Sequence, residues 1–181
     1  MLPDEHAYLK EALYLSIHVS GHGVSDECAS TPDRALLDVP PFRRTHEHWG
    51  RAGDKAVVAA TLDDGRESHV GWPTQSGTEW IIGAAWVRLY GRGLPTYGFV
   101  SEDIPVLVVA LEAEYRDQGI GTELMNMLIQ EVRRAGMPGI SLSVDPTNRA
   151  MSFYRKLGFK ALDEPPRVIE DDRNPVMLLE W

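Results

Sequence analysis

Val106-Leu107-Val108-Val109-Ala110-Leu111-Glu112-Ala113-Glu114-Tyr115-Arg116-Asp117-Gln118-Gly119-Ile120-Gly121-Thr122 is the stretch on which the reading of this 181-residue chain turns. Its first six residues are a continuous apolar run, half of it valine, of the kind buried on both faces of a sheet. Polar residues and two glycines follow, and then a strong helix signal from Gly119 to Ala135. Ile120, Leu124, Leu128 and Val132 form an i, i+4 stripe flanked by Met125 and Ile129. Arg133-Arg134, then Gly136 and Pro138, supply cations at the negative helix end and a stop. A strand, a glycine loop and a helix in that order have a definite chemical property. The helix N-terminus offers unpaired N–H groups and the positive end of the dipole, and the glycines let the backbone approach an anion closely. The loop lacks the lysine of a P-loop and the third glycine of a dinucleotide fingerprint, so ATP and NAD are not its natural ligands. On spacing alone a pyrophosphate cradle and a tight turn needing glycine only for packing are both open.

Upstream, Trp80 to Tyr90 alternates as a central strand, with Ile81, Gly83, Ala85, Val87 and Leu89 on one face and Ile82, Ala84, Trp86, Arg88 and Tyr90 on the other. A turn-rich segment, Gly91 to Asp103, joins it to the valine run. Ala56 to Thr61 is a further strand, and Asp63 to Glu79, rich in Gly, Ser and Thr, is too long for a tight hairpin. Before these come an amphipathic helix from Asp4 to about Val19, with Leu9, Ala12, Leu13 and Ile17 at helical spacing, and a Gly/Ser-rich loop from Ser20 to Ser30. Thr31-Pro32-Asp33 opens a short helix, and an irregular one is expected through Phe42 to Trp49. Downstream, Gly139 to Val144 reads as a strand, Thr147 to Leu157 as a helix, and Phe159 to Leu162 and Val176 to Trp181 as closing strands. No repeat or linker interrupts the pattern, so residues 1–181 are expected to form a single domain.

Composition narrows the function classes. Twenty-seven acidic against 18 basic residues give a net charge of −9, which argues against a nucleic-acid binder working by phosphate neutralisation. Cys28 is the only cysteine, so an internal disulfide or thiolate zinc cluster is excluded and a reducing cytoplasm is the expected compartment. No apolar run approaches the roughly 20 residues that span a bilayer, and Met1 to His6 lacks the layout of a signal peptide. His46-Glu47-His48 invites a metal reading, but histidines at i, i+2 point apart on a helix and no further ligand set is evident, so no metal is assigned.

A second segment, Asn148-Arg149-Ala150-Met151-Ser152-Phe153-Tyr154-Arg155-Lys156-Leu157-Gly158-Phe159, completes the picture. Together the two resemble the GNAT superfamily of acetyl-coenzyme A-dependent N-acetyltransferases. Arg116, Gly119 and Gly121 match the family's Arg/Gln-x-x-Gly-x-Gly/Ala loop, and Ala150, Tyr154, Gly158 and Phe159 match its Asn-x-x-Ala-x-x-x-Tyr-x-x-x-Gly-Phe segment. The asparagine departs from the pattern: Thr147 stands where it is expected, and Asn148 comes one residue late. The likeness is strongest from Trp80 to Phe159. The family's usual first strand, ahead of the first helix, has little room in Met1-Leu2-Pro3 and is expected to be short or missing.

The resemblance implies an α/β, or α+β, three-layer domain with a mixed, mostly antiparallel central sheet flanked by helices, splayed where acetyl-coenzyme A enters around Leu111 and Val144. It implies that the backbone from Gln118 through Gly119, Ile120 and Gly121 to Thr122 holds the coenzyme A pyrophosphate, with Arg116 and the Thr122 hydroxyl assisting and Asp117 within the same loop. Val109, Ala110 and Leu111 would pair with the pantetheine amides, Asn148 would contact the pantetheine arm, and Tyr154 would protonate the departing thiolate. The other reading of Tyr154 is a core aromatic on its helix stripe. The family often places a carboxylate base early in the strand before the loop, where this chain has Pro105-Val106. Glu102 and Asp103 just upstream are the candidate bases, with solvated loop residues as their alternative and proton loss through ordered water as a third route. Trp86, Arg88, Tyr90 and Tyr97 are candidates to line an acceptor cavity or to be core.

The activity implied is direct acetyl transfer to a primary amine, with a small molecule as partner; dimerisation is common in the family, and the sequence leaves monomer and homodimer both open. A non-catalytic acyl-coenzyme A sensor, and an acetyltransferase acting on a protein N-terminus or lysine, are the rivals.

Overall fold

The valine run lies where its sequence puts it, in the middle of a mixed sheet. A computed structural model describes residues 6–18, 34–62, 72–73, 79–166, 168–169 and 172–181. Its elements in order are α1 (His6–His18), a 3-10 turn at Arg34–Asp38, α2 (Pro40–His46), β1 (Lys55–Leu62), β2 (Trp72–Pro73), β3 (Glu79–Arg88), β4 (Val106–Leu111), a 3-10 turn at Ala113–Tyr115, α3 (Ile120–Arg134), β5 (Gly139–Ser143), α4 (Ala150–Lys156), β6 (Lys160–Ala161) and β7 (Val176–Glu180). The sheet runs β1-β3-β4-β5-β7-β6, with β2 also pairing β3. Among the described residues only β4 and β5 pair in parallel; the other ladders are antiparallel. The expected loop from Ser20 to Ser30 lies outside the described residues, as do the N-terminal residues 1–5 where a first strand would stand.

Helices cover both faces, as an alternating strand demands. On one face Ala85, Val87, Leu107, Ile140 and Leu142 pack against Leu124, Met125, Leu128 and Val132 of α3, the stripe expected from the sequence. On the other, Tyr8, Leu9, Ala12 and Leu13 of α1 pack on Ile81, Ala84, Trp86 and Ala110.

Ile81 thus lies on the face opposite to that expected from simple alternation. The cause is a bulge. Ala59 pairs with Gly83 but Ala60 with Ile81, so β3 carries one extra residue there and its side-chain parity inverts. Two smaller departures have equally local causes. β2 falls within the connection 63–79, for which the sequence pattern indicated no strand. And α2 begins at Pro40 and ends at His46, rather than running from Phe42 to Trp49. Two prolines in its first turn pre-set φ, and past its end Glu47 is extended and His48 takes a positive φ.

α2 and the chain after it are held to the sheet by buried polar side chains of β3 and its continuation. Arg88, 1% exposed, forms a bidentate pair with Asp54 (2.9 and 2.7 Å). It also donates to the carbonyls of Arg44, Glu47 and His48. Trp86 Nε1 donates to Thr45 O at 3.0 Å, and the Tyr90 hydroxyl lies 3.5 Å from Arg44 O. These contacts make Trp86, Arg88 and Tyr90 buried ties to α2 and the chain after it. Tyr97, half-buried, stacks on Phe42 with ring centroids 4.9 Å apart.

Candidate active site

The loop from Glu112 to Thr122 is wound by its own backbone. Tyr115 N donates to Glu112 O and Arg116 N to Ala113 O, closing the 3-10 turn. Asp117 (φ 59) and Gly119 (φ 87) are left-handed, and Gly119 is the residue from which α3 starts. A side chain at Gly119 would be strained by that φ even though open space surrounds it. Gly119 O accepts from Thr122 N and Glu123 N. Among the described residues, the N–H groups of Gln118, Gly119, Ile120 and Gly121 make no such backbone bond. Asp117, Gln118, Gly119 and Thr122 are exposed, so this row of donors at the positive end of a 15-residue helix is open to a ligand. The Gln118 side chain donates to Glu114 O at 2.7 Å and holds the turn from outside. Arg116 is half-buried, and its Nε donates to Leu111 O at 3.0 Å. Burial pulls its pKa below the usual value, while Asp117 acts the other way; a guanidinium remains a cation throughout.

The ladder decides which backbone groups of β4 are available. Glu112 N donates to Ile82 O, in step with the pairs Ala110↔Ala84 and Val108↔Trp86, so the even residues exchange bonds with β3. Ala110 is therefore engaged within the sheet. The N–H and C=O groups of Val109 and Leu111 point the opposite way, toward β5, and Leu111 O already accepts from Arg116. β5 meets β4 through one registered pair, Val106↔Ser141, with Ser141 N donating to Pro105 O at 3.0 Å.

Tyr154 lies on α4, 8% exposed, within the same core cluster as the α3 stripe. Its ring is 5.5 Å from Phe153 and 5.7 Å from Phe159, centroid to centroid. Burial raises its pKa far above the usual phenol value, so the hydroxyl keeps its proton at any physiological pH. Asn148 Oδ1 accepts from Ala150 N at 2.8 Å, so the asparagine caps the start of α4. Thr147 is exposed and tied through N and Oγ1 to Asp145 Oδ1 (2.7 and 2.6 Å). That capping role accounts physically for an asparagine at 148 rather than 147.

The two candidate bases are exposed and hold their own turns. Glu102 Oε1 accepts from Arg92 N at 2.9 Å, and Asp103 Oδ1 accepts from the Ser101 hydroxyl. That bond lowers the Asp103 pKa and weakens it as a base. His46 is buried with Nε2 3.5 Å from Leu37 O, whereas His48 is exposed. Among the described residues no group of three His, Cys, Asp or Glu side chains could hold a metal ion. Two features escaped the sequence reading: the buried carboxyl of Glu112, in electrostatic reach of the Tyr8 hydroxyl, and the buried hydroxyls of Ser141 and Ser143. Strand periodicity alone predicts that every second residue of β5 faces away from α3, but not that this face is closed over.

Known proteins give the class to which this mixed sheet, with its donor-lined loop at a helix N-terminus, belongs: the acyl-coenzyme A-dependent transferases. The sequence pattern of the acetyltransferase (GNAT) family matches residues 34–159. No curated protein matches at the level of sequence. Among solved structures, a GNAT-family acetyltransferase from Staphylococcus aureus Mu50 superposes with a TM-score of 0.61 at 18% identity, covering 99% of this chain and 95% of that one. The PaiA N-acetyltransferase of Thermoplasma acidophilum, in complex with coenzyme A, gives 0.55 at 18% identity over 98% and 94%. YncA of Salmonella typhimurium, with its cofactor acetyl-coenzyme A, gives 0.54 at 18% over 99% and 90%. This chain belongs to the acetyltransferase (GNAT) family, and is an acetyl-coenzyme A-dependent N-acetyltransferase by class.

Proposed function

We propose that the protein transfers an acetyl group directly from acetyl-coenzyme A to the primary amine of a small molecule, with residues 1–181 acting as one domain in the cytoplasm. The observation that carries this is the open row of N–H donors from Gln118 to Gly121, in line with a β4 edge whose Val109 backbone faces away from β3. The donors fit a pyrophosphate, and Arg116 adds positive charge beside them. The Val109 N–H and C=O fit the amides of a pantetheine arm, which would lie between β4 and β5 beyond their one registered pair, toward Leu111 and Val144. Asn148, already capping α4, and the Thr122 hydroxyl would make side-chain contacts to the same ligand. Acetyl-coenzyme A supplies an activated thioester. Tyr154, a phenol that is protonated at neutral pH, would supply the proton that the departing sulfur takes up.

Proton removal from the amine is the harder step. An amine of pKa about 10.4 is neutral in only about one molecule in a few thousand at pH 7. Glu102 and Asp103, exposed and engaged in their own turns, support capture of the neutral fraction with the proton passing to water more than they support a dedicated base. That same observation is what favours the rival reading, a binding module without turnover. Thiol release from acetyl-coenzyme A across a panel of small amines and peptides separates the two, and light scattering on the same preparation reads the homodimer. We expect release with small primary amines above the rate of hydrolysis. Coenzyme A binding without release under any amine or peptide would establish the sensor instead. No helix among the described residues is long and apolar enough to cross a membrane, and the acidic balance gives no support to a nucleic-acid partner.

A further inference from the structure

Phe153 of α4 stands beside the first turn of α3. A Cβ at Gly121 would lie 3.8 Å from Phe153 Cζ and 4.0 Å from Leu111 Cδ2, so the half-buried ring borders the same glycine as the end of β4. Helical spacing decides which other residues share that side of α4. Arg149, four residues before Phe153, and Lys156, three after, lie on it, whereas Arg155, two after, points away. Arg149 is included because, at the N-cap, it already has helical angles, φ −54 and ψ −27. Ala150, Tyr154 and Leu157 turn to the core, while Arg149 and Lys156 are exposed. Two cations therefore rim the solvent side of the ring that meets the donor loop.

Their charge runs against that of the chain. Residues 146–162 hold four cations, Arg149, Arg155, Lys156 and Lys160, and no carboxylate, in a protein of net charge −9. Lys156 has a structural reason, since the last turn of a helix favours a cation. Arg149 has none. It puts a cation at the positive end of α4 and its side chain makes no capping bond. Among the described residues neither its guanidinium nor the Lys156 ammonium forms an ion pair. A local rule broken without a compensating contact belongs where a ligand completes the arrangement. Coenzyme A brings an anion that the donor row leaves unassigned. Besides its diphosphate it carries a phosphomonoester on the ribose 3′ oxygen, one sugar away, with a charge of about −1.5 to −2 at pH 7. We propose that Arg149 and Lys156 bind this 3′-phosphate, so that the protein discriminates coenzyme A from its 3′-dephospho form. The assignment rests on the reading of Gln118 to Gly121 as the diphosphate cradle and adds a specificity that the cradle lacks, because N–H donors on a diphosphate meet the same group in both molecules. The Arg149 fork can take two phosphate oxygens at once, and Lys156 adds a point charge.

Calorimetric titration and thermal shift of the full chain with coenzyme A and with 3′-dephospho-coenzyme A test this without any acceptor amine. The parent should bind the dephospho form about tenfold more weakly, and the preference should shrink as salt is raised, because the contacts are exposed. Arg149→Gln combined with Lys156→Gln should lower the affinity for coenzyme A to that of the dephospho form and leave the dephospho form unaffected. Both side chains are exposed, so Tm without ligand should hardly move; if the pair does lower it, the single variants carry the same comparison. Arg149→Lys, which keeps the charge and loses the fork, should retain part of the preference, and Arg155→Gln should retain all of it. Equal affinity of the parent for the two ligands, or a double variant that still discriminates, overturns this assignment alone. A weakening of both ligands alike in the double variant moves the two cations to the diphosphate and overturns it as well. A loss in Arg155→Gln as large as that in Arg149→Gln would reduce the effect to general attraction. If neither ligand binds the parent or raises its Tm, the cradle reading fails and this assignment fails with it.

Discussion

Tyr154 illustrates how one residue satisfies two readings at once. It is a core aromatic, packed between Phe153 and Phe159, and its phenol, protonated at neutral pH, is the proposed proton donor. Tyr154→Phe retains the ring, so thermal stability and coenzyme A binding should hardly change. General-acid assistance is worth roughly 10² to 10⁴-fold, and a thiolate leaves readily, so kcat should fall about a hundredfold. Single-turnover rates measure this, and an unchanged rate would leave only the packing role. Gly121 is tested on the binding side. A Cβ there meets only ordinary contacts, Phe153 at 3.8 Å and Leu111 at 4.0 Å. Gly121→Val should therefore fold, yet place a branched side chain where the pyrophosphate must approach. Its melting temperature should be nearly normal and no longer respond to coenzyme A; a full response in the variant would move the cradle elsewhere.

At the scale of elements, α2 and the chain after it are tied to the sheet by buried polar side chains. Arg88 donates to three carbonyls around the end of α2 and pairs with Asp54, whose carboxylate also accepts from Gly50 N and Arg51 N. Arg88→Met would leave the Asp54 charge buried without its counter-ion, a loss of about 3 to 5 kcal/mol. Adding Asp54→Asn should recover part of that, and urea unfolding of the three proteins measures both effects. His46 makes the same element sensitive to acid. Burial lowers its pKa below the usual value, with the Leu37 carbonyl partly opposing. The unfolded chain then binds the proton at higher pH than the folded one, so the stabilisation is complete above the unfolded value of about 6.5 and is lost as pH falls through the folded value. His46→Gln should flatten the loss of stability between about pH 7 and pH 5 relative to the parent; an identical slope in the two proteins would show that other groups carry it.

For the whole molecule, the donor loop, the β4 edge and Tyr154 come from three different elements, and the proposed site needs the sheet to bring them together. Coenzyme A, recognised by the folded state alone, should raise stability by RT ln(1 + [L]/Kd), about 2.7 kcal/mol at roughly a hundredfold excess over Kd. A thermal shift reads this directly, and its absence would contradict the cofactor site as a whole. Since the proposed route admits only neutral amine, kcat/KM for a simple monoamine should climb with pH toward the amine's own pKa, at about 10.4 for a lysine-like amine. A plateau near neutrality would instead reveal a protein base.

The sequence by itself determined the strand, glycine loop and helix from Val106 to Arg134, because each rests on local rules: an apolar run, a residue free to take positive φ, and a 3.6-residue stripe. It also indicated α4, expected over Thr147 to Leu157 and found at Ala150–Lys156, since Gly158 marks where that helix stops. Only the tertiary structure decided which backbone groups of β4 remain available, because that depends on the register with β3. The bulge opposite Ala59 and Ala60, which sends Ile81 to the α1 side, is likewise a property of two strands together. Trp86, Arg88 and Tyr90 proved to be ties to α2, since a polar atom on a buried face is defined by the partner that a distant segment brings to it. The two hydroxyls of β5 became conspicuous for the converse reason. Gly98, more than forty residues earlier in the chain, closes over them, and among the described residues no hydrogen-bond partner meets them there.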